Sequence, residues 1–461
     1  MKTDTIAAIA TAMTDSGIGI IRISGEEAIS IAHSIFINKN NKKCLNTYDS
    51  HTIHYGFIID KDLRIVDEVM ISIMKKPHSY TAEDTVEINC HGGVFMMRKI
   101  LEIVIEAGAR TAMPGEFTKR AFLNGRIDLS RAEAVMDIIQ SKNEFALKSS
   151  VKQLNGSLYE TIKKLREDIL YEIAFIESAL DDPEHISLED YPQQLTVKIT
   201  DLGHRLKKLL DSANDGRMMK EGIHTVIVGK PNVGKSSLLN ILVGEEKAIV
   251  TDIAGTTRDI IEEYVSVQGI PFHITDTAGI RNTEDVVEKI GVEKAKKALF
   301  EADLVIYMID ASVPLDQNDS DIMKMAEDKK MIILLNKSDL SVCVTEEQLK
   351  SNVSDGLKII KTSTKEKEGI DVFIETIKDM FFHNEISYND EVYITNLRHK
   401  EAIEDAYESI GQVAKSINDQ MPEDFYSIDL MNAYASLGTI IGEEVGEDLV
   451  NEIFSKFCMG K

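Results

Sequence analysis

The segment Gly229-Lys230-Pro231-Asn232-Val233-Gly234-Lys235-Ser236 follows the pattern G-x-x-x-x-G-K-S, directly after an apolar run and directly before a helical one. Such a loop wraps phosphates with backbone N–H groups, and the helix N-terminus behind it adds a favourable dipole. Asn232, Val233, Gly234, Lys235, Ser236 and Ser237 are the expected phosphate contacts. Lys235 supplies a point charge to the β- and γ-phosphates, and the Ser236 hydroxyl a ligand to Mg²⁺. With a strand before it and a helix after it, a chance Gly-rich turn is the weaker reading.

Two further motifs follow in the order a nucleotide site requires. Asp276-Thr277-Ala278-Gly279 closes an apolar run; its carboxylate can hold Mg²⁺ through water, and the Gly279 N–H can sense the γ-phosphate. Asn336-Lys337-Ser338-Asp339 closes the next but one. Asp339 can accept two N–H bonds from guanine N1 and N2, with Asn336 at the opposite edge. Adenine offers no such donors, and charge-assisted bonds of about 1.5–3 kcal/mol each are enough to choose GTP over ATP. Ser363-Thr364-Lys365 falls where a supporting base loop would lie, although it is a poor match by itself. Between loop and carboxylate runs Thr251-Asp252-Ile253-Ala254-Gly255-Thr256-Thr257-Arg258-Asp259. A threonine there, Thr257 by our reading, completes the Mg²⁺ shell when the γ-phosphate is present.

After Gly279 comes Ile280, where many GTPases place the glutamine that orients the attacking water. Another group must do so, or hydrolysis waits for an activator. Glu288 is either that group or an ordinary surface carboxylate, and the residues alone favour the latter. Arg258 and Arg281 are either transition-state cations or solvated side chains. Cys458 is either a nucleophile or a small packing residue, since no base is visible beside it. His91-Gly92-Gly93 reads more simply as a turn than as a ligand contact.

The elements that must position these residues read as α/β. Residues His224–Val228, Phe272–Thr275, Leu304–Asp310 and Met331–Asn336 are apolar runs of buried parallel strands, alternating with helices. Before them, Ile18–Ser24, Gly56–Ile59, Ile65–Met74 and Thr85–Asn89 predict strands, and a helix from Val94 to Ala107 stops at Gly108. From Val151 to Leu180 apolar residues recur every three or four positions, predicting one long helix that Gly156 can break. A second helix carries Leu195, Ile199, Leu202, Leu206 and Leu209, and the helical pattern returns at Ile403–Ile417 and Leu430–Ile441. Helices on both sides of an α/β unit predict an insertion.

A length of 461 residues predicts about three domains, and 43% hydrophobic with 28% charged residues predicts a soluble globular chain. The net charge of −25 argues against a nonspecific coat on nucleic acid or anionic membrane. Residues 1–130 hold 15 basic against 16 acidic side chains, so nearly all the excess lies beyond them, and a direct RNA contact would fall in this first part or on a partner. Cys44, Cys90, Cys343 and Cys458 are scattered without C-x-x-C pairs, predicting a reducing compartment and no zinc site. With no basic leader and no apolar stretch near the roughly 20 residues of a membrane helix, a cytoplasmic location and no membrane partner are expected.

The motif set 229–236, 251–259, 276–279 and 336–339, together with Gly19-Ile20-Ile21-Arg22-Ile23-Ser24-Gly25, Pro114-Gly115-Glu116-Phe117 leading into Arg120-Ala121-Phe122-Leu123-Asn124, and the terminal Phe457-Cys458-Met459-Gly460-Lys461, resembles the MnmE (TrmE) family over essentially the whole chain. The resemblance implies a multidomain α/β and α protein. Its parts are an α+β folate-binding-like and dimerisation domain at 1–124, a helical domain at 125–219 and 383–461 ending in C-x-G-K, and an inserted P-loop GTPase domain at 220–382 with a doubly wound, mostly parallel sheet. It implies a homodimer that, with a flavin- and NADH-using MnmG-type partner, adds a carboxymethylaminomethyl-type group to carbon 5 of the wobble uridine, position 34, of tRNA. The implied one-carbon donor is 5-formyl- or methylene-tetrahydrofolate, held by Arg22, Glu87, Arg126 and Lys461. At 126 either basic residue is expected. The implied K⁺ site, at which G domains pair, is Asn232 with the backbone of Thr251, Ile253 and Thr256. The resemblance also makes Glu288, with Lys235, the catalytic pair, overturning the surface reading of Glu288. The rival is a regulatory RNA-binding GTPase switch in ribosome assembly. Such proteins carry a basic RNA-binding domain after the G domain, whereas residues 383–461 here are helical and acidic.

Overall fold

A computed structural model describes residues 4–39, 45–245, 262–268, 270–276, 299–325, 329–350, 357–381, 392–457 and 460. The chain divides into two compact units: Met1–Met136 with Gln153–Tyr171 and Tyr434–Lys461, and Asp137–Lys152 with Glu172–Ala433. Helical segments are shared between them. Among the described residues no helix is long and apolar enough to cross a membrane.

In the first unit, period-two alternation of Ile and Val builds a seven-stranded sheet. Its strands are β1 (Ile6–Ile9), β2 (Ser16–Ser24), β3 (Phe36–Asn38), β4 (Thr52–Ile59), β5 (Ile65–Met74), β6 (Thr85–Gly92) and β7 (Arg110–Thr111), in the order β3-β4-β5-β6-β2-β1-β7. Only the β1–β7 pairing is parallel. One face carries Ile21, Ile23, Ile71, Ile73, Val86 and Ile88, buried in one core with helices Ala28–Ile35 and Val94–Glu106. Because side chains alternate along a strand, Arg22 and Glu87 point to the other face. The anticipated helix at Val94 does stop where Gly108 takes φ +122°. Strands β1, β3 and β7 were not anticipated, being two to four residues long.

Helices of this unit come from both ends of the chain. The amphipathic run 151–180 is two helices, Glu144–Leu154 and Ser157–Asp181, broken at Gly156 with φ +96°. A β-carbon at Gly156 would also strike the Arg131 guanidinium. Glycine therefore satisfies both the backbone and the close approach. Arg166, 5% exposed, donates from Nε to the Tyr434 carbonyl at 3.2 Å and pairs with Glu443. In the second unit, helix Tyr191–Glu221 packs along helix Leu397–Asn418, burying Leu195, Ile199, Leu202 and Leu206 opposite Ile403, Ala406 and Ile410. Tyr407, four residues after Ile403 on the same helix, is exposed.

The second unit also holds a six-stranded sheet: β8 (Ile223–Gly229), β9 (Glu262–Val267), β10 (Ile270–Asp276), β11 (Leu304–Asp310), β12 (Met331–Asn336) and β13 (Lys358–Lys361), in the order β13-β12-β11-β8-β10-β9. All pairings are parallel except that of β9 with β10. From β8 the chain first adds strands on one side, then on the other. The crevice at the carboxyl end of β8 is therefore the topological switch point, where open α/β sheets bind ligands. The register sets Asp276 against Ile227, Met308 against Gly229 and Asp310 against Asn336, so the three motifs emerge from one sheet edge. The edge strands β9 and β13 were missed: polar residues interrupt both, and edge strands need bury only one face.

Candidate functional site

The loop after β8 folds as its glycines require. Gly229 has φ +151° and Gly234 φ +110°, and a β-carbon on Gly234 would collide with the Asn336 side-chain amide. Asn232 also adopts positive φ, +61°, which asparagine tolerates better than most residues. Helix Lys235–Glu245 begins within the motif itself, putting Ser236 and Ser237, both exposed, in its first turn. Lys235 Nζ donates to the carbonyls of Gly229 at 2.6 Å and Lys230 at 2.9 Å. The ammonium thus lies inside the loop's curve, where a phosphate oxygen would draw it.

Asn336 is 1% exposed and fully engaged in hydrogen bonds within the protein. Its Nδ2 donates to the Val233 carbonyl at 2.7 Å and to Thr364 Oγ1 at 3.1 Å, while its Oδ1 accepts from the Thr364 N–H at 3.0 Å. Its amide ties the phosphate loop to Thr364. Asp339 is exposed, and its Oδ1 accepts from Ser363 Oγ at 2.8 Å. Segment Ser363-Thr364-Lys365, weak as a string, is thereby brought against both members of the base motif. Lys337 has φ +63° and reaches Asp310 at 2.6 Å. Burial alone would raise the Asp310 carboxyl, but the bonds from Lys337 and Ser312 outweigh it and hold it below the usual range.

Asp276 ends β10, with its side chain outside the described residues, as are Thr251, Asp252, Ile253, Ala254, Gly255, Thr256, Thr257, Thr277, Ala278, Gly279 and Glu288. The motif reading overlooked Lys230, which occupies a wildcard position yet binds Asp319 at 2.6 Å and Asp316 at 2.9 Å. It overlooked Tyr307 too, whose hydroxyl donates to Asp319 at 2.6 Å. No spacing rule could have found a partner 89 residues away.

A second cluster lies on the outer face of the seven-stranded sheet. Arg22 and Glu87 are register partners on β2 and β6, and Arg22 Nε donates to Glu87 Oε1 at 2.8 Å. Arg22 Nη1 donates to the Gly460 carbonyl at 3.0 Å, which brings Gly460 to the same place. Gly460 has φ +87°, and a β-carbon there would come within 2.7 Å of Ala10 Cα. The guanidinium carbons of Arg22 and Arg126 each lie 5.2 Å from the centre of the Tyr80 ring. Arg22 and Arg126 thus share one aromatic ring, and Glu87 is held by Arg22; Lys461 and Cys458 lie outside the described residues.

The Pro114–Asn124 motif supports this cluster. Gly115, φ +68°, lets helix Glu116–Leu123 begin hard against Phe454 and Phe457. Arg120, 8% exposed, donates to the Asp4 carbonyl at 2.8 Å and pairs with Asp4, Glu83 and Glu116.

Residues 5–126 match the family described as the GTP-binding protein TrmE N-terminus, and residues 129–458 match the MnmE helical domain. The tRNA modification GTPase MnmE of Lachnoclostridium phytofermentans is 56% identical over all of both chains. That of Acetivibrio thermocellus is 51% identical, again over all of both. Among solved structures, the G domain of the T. maritima FeoB iron transporter is 28% identical, covering 34% of this chain and 96% of its own, with a TM-score of 0.28. With both family matches and full-length identity above half, the chain belongs to the tRNA modification GTPase MnmE family.

Proposed function

We propose that this GTPase couples GTP hydrolysis to modification of tRNA, as the GTP-hydrolysing subunit of a complex that adds a carboxymethylaminomethyl-type group to carbon 5 of the wobble uridine. The grouping of Arg22 and Arg126 about the Tyr80 ring, with Glu87 and the Gly460 carbonyl bound to Arg22, is the observation that carries it, because it offers a second candidate ligand site in the unit that lacks the phosphate loop. Two guanidinium groups, a carboxylate and an aromatic ring suit a flat heterocycle that bears donors and a carboxylate tail. A tetrahydrofolate fits that description, and when bound it would supply the one-carbon unit. Lys461 and Cys458 are proposed to complete this pocket.

At the nucleotide site, the loop 229–236 binds the phosphates, Lys235 neutralises them and Asp339 reads the base. The donor set fits Mg²⁺: the Ser236 hydroxyl is exposed in the first helical turn, and Asp276 ends the neighbouring strand. Thr257 would complete the shell. Asn232, exposed at the loop's crest in a left-handed conformation, suits a K⁺ beside the phosphates, with Thr251, Ile253 and Thr256 as backbone partners. Glu288 would orient the attacking water.

Homodimerisation through residues 1–124, G-domain pairing by residues 220–382, the helical domain of 125–219 with 383–461, an MnmG-type partner and a cytoplasmic location belong to this proposal. Full-length likeness to modification GTPases favours it over a ribosome-assembly switch. Nucleoside mass spectrometry of tRNA from cells lacking the protein tests it. Loss of the modified wobble uridine is the expected result, and an unchanged profile would reject the proposal.

A further inference from the structure

Lys230 follows the last residue of β8, and its two ends face opposite ways. Its carbonyl, with that of Gly229, accepts from Lys235 Nζ inside the phosphate loop. Its ammonium leaves the loop and binds Asp319 Oδ2 at 2.6 Å and Asp316 Oδ2 at 2.9 Å. The Asp319 side chain is only 4% exposed. It accepts in addition from Tyr307 Oη at 2.6 Å and from the Asp316 N–H at 2.8 Å. Tyr307 is fully buried on β11, in register with Val228 of β8. A carboxylate so far from water remains ionised only when donors surround it, and a partner withdrawn leaves a buried charge.

We propose that Lys230 is a positioning residue for nucleotide binding: anchored by Asp319 and Tyr307, it fixes the first turn of the phosphate loop and so sets how long the nucleotide stays bound. The amide groups that wrap the phosphates begin two residues beyond it, at Asn232, because Pro231 has no N–H, so a displaced Lys230 carries them with it through a stiff proline. Burial opposes the charge on Lys230, but its bonds to Asp319 and Asp316 prevail and raise its ammonium above the ordinary value, so the anchor persists at neutral pH. The effect belongs to retention of the nucleotide, not to bond cleavage, because the ammonium points away from the phosphate side.

Release of N-methylanthraniloyl-GDP from the full-length protein, followed by stopped flow alongside thermal melting, tests this. Lys230→Met should speed release about tenfold, since affinity differences within one site fall mostly on the off-rate. Lys230→Arg should restore slow release. A merely structural ion pair predicts something else for Lys230→Met combined with Asp319→Leu, which leaves no buried charge. That variant should melt like the unaltered protein and still release nucleotide quickly. Normal melting with normal release in it would overturn the proposal. Should it melt low, Tyr307→Phe decides instead: faster release supports the anchor, and unaltered release overturns it.

Discussion

Ser363 Oγ donates to Asp339 Oδ1 across 2.8 Å, while the next residue, Thr364, holds Asn336 through its N–H and hydroxyl. Two consecutive residues of one loop thus set the carboxylate that we propose reads the base and the tie to the phosphate loop. The base and phosphate ends of the site are joined by hydrogen bonds rather than placed independently.

Changing Asp339→Asn should invert base preference. Guanine presents two donors, at N1 and N2, to the carboxylate; an amide offers one acceptor and one donor, which suits a base with a carbonyl at carbon 2. GTP affinity should fall roughly 10- to 100-fold while that for xanthosine triphosphate rises, as hydrogen-bond mismatch at a charged group predicts. Ser363→Ala should weaken GTP binding only a few-fold, about one neutral-to-charged bond. Equilibrium titration with both nucleotides measures each.

Turnover should depend on the monovalent cation. Asn232 stands exposed on the loop and Ile280 replaces the usual glutamine, so an electrostatic substitute is required. Hydrolysis in KCl should exceed that in NaCl by about tenfold or more, within the range that a transition-state cation supplies. Equal rates would exclude the potassium mechanism.

Glu288→Ala should bind GTP normally and hydrolyse it at least about 100-fold more slowly, the usual cost of losing a positioned base. Near-normal turnover would return Glu288 to the surface carboxylates.

Stability should carry the signature of Arg120. Arg120→Met strips a buried guanidinium from Glu83 and Glu116, both 13% exposed at the side chain, and should cost about 3–5 kcal/mol in denaturant unfolding. Burial opposes ionisation of Glu116, but bonds from Arg110, the Met113 N–H and Arg120 prevail and hold it below its ordinary value of 4.5. A carboxyl lowered in the folded state stabilises fully above its unfolded value and stops doing so as pH falls through its folded one. Melting should therefore be level from neutrality down to about pH 5 and fall below it. Arg120→Met should show a shallower acid decline.

Much of this arrangement was legible beforehand, for identifiable reasons. Strands β8, β10, β11 and β12 are mostly apolar runs because both faces are covered, and β8, β10 and β12 each end in a motif that glycine or a carboxylate marks. The break at Gly156 followed from helix propensity. What stayed hidden depends on contacts distant in sequence. The spacing of Asn336 gives no sign of its bond to the Val233 carbonyl, 103 residues away. Lys230 looks like filler until Asp319 is found beneath it. Tyr80 carried no motif at all, and only folding places it between Arg22 and Arg126.

Competition between GTP and ATP for the purified full-length protein bears most directly on the whole account. Two bonds to an ionised carboxylate predict that GTP binds at least about 100-fold more tightly than ATP. Equal affinity for the two, or binding of neither, would contradict a site in which loop 229–236 holds the phosphates and Asp339 identifies the base.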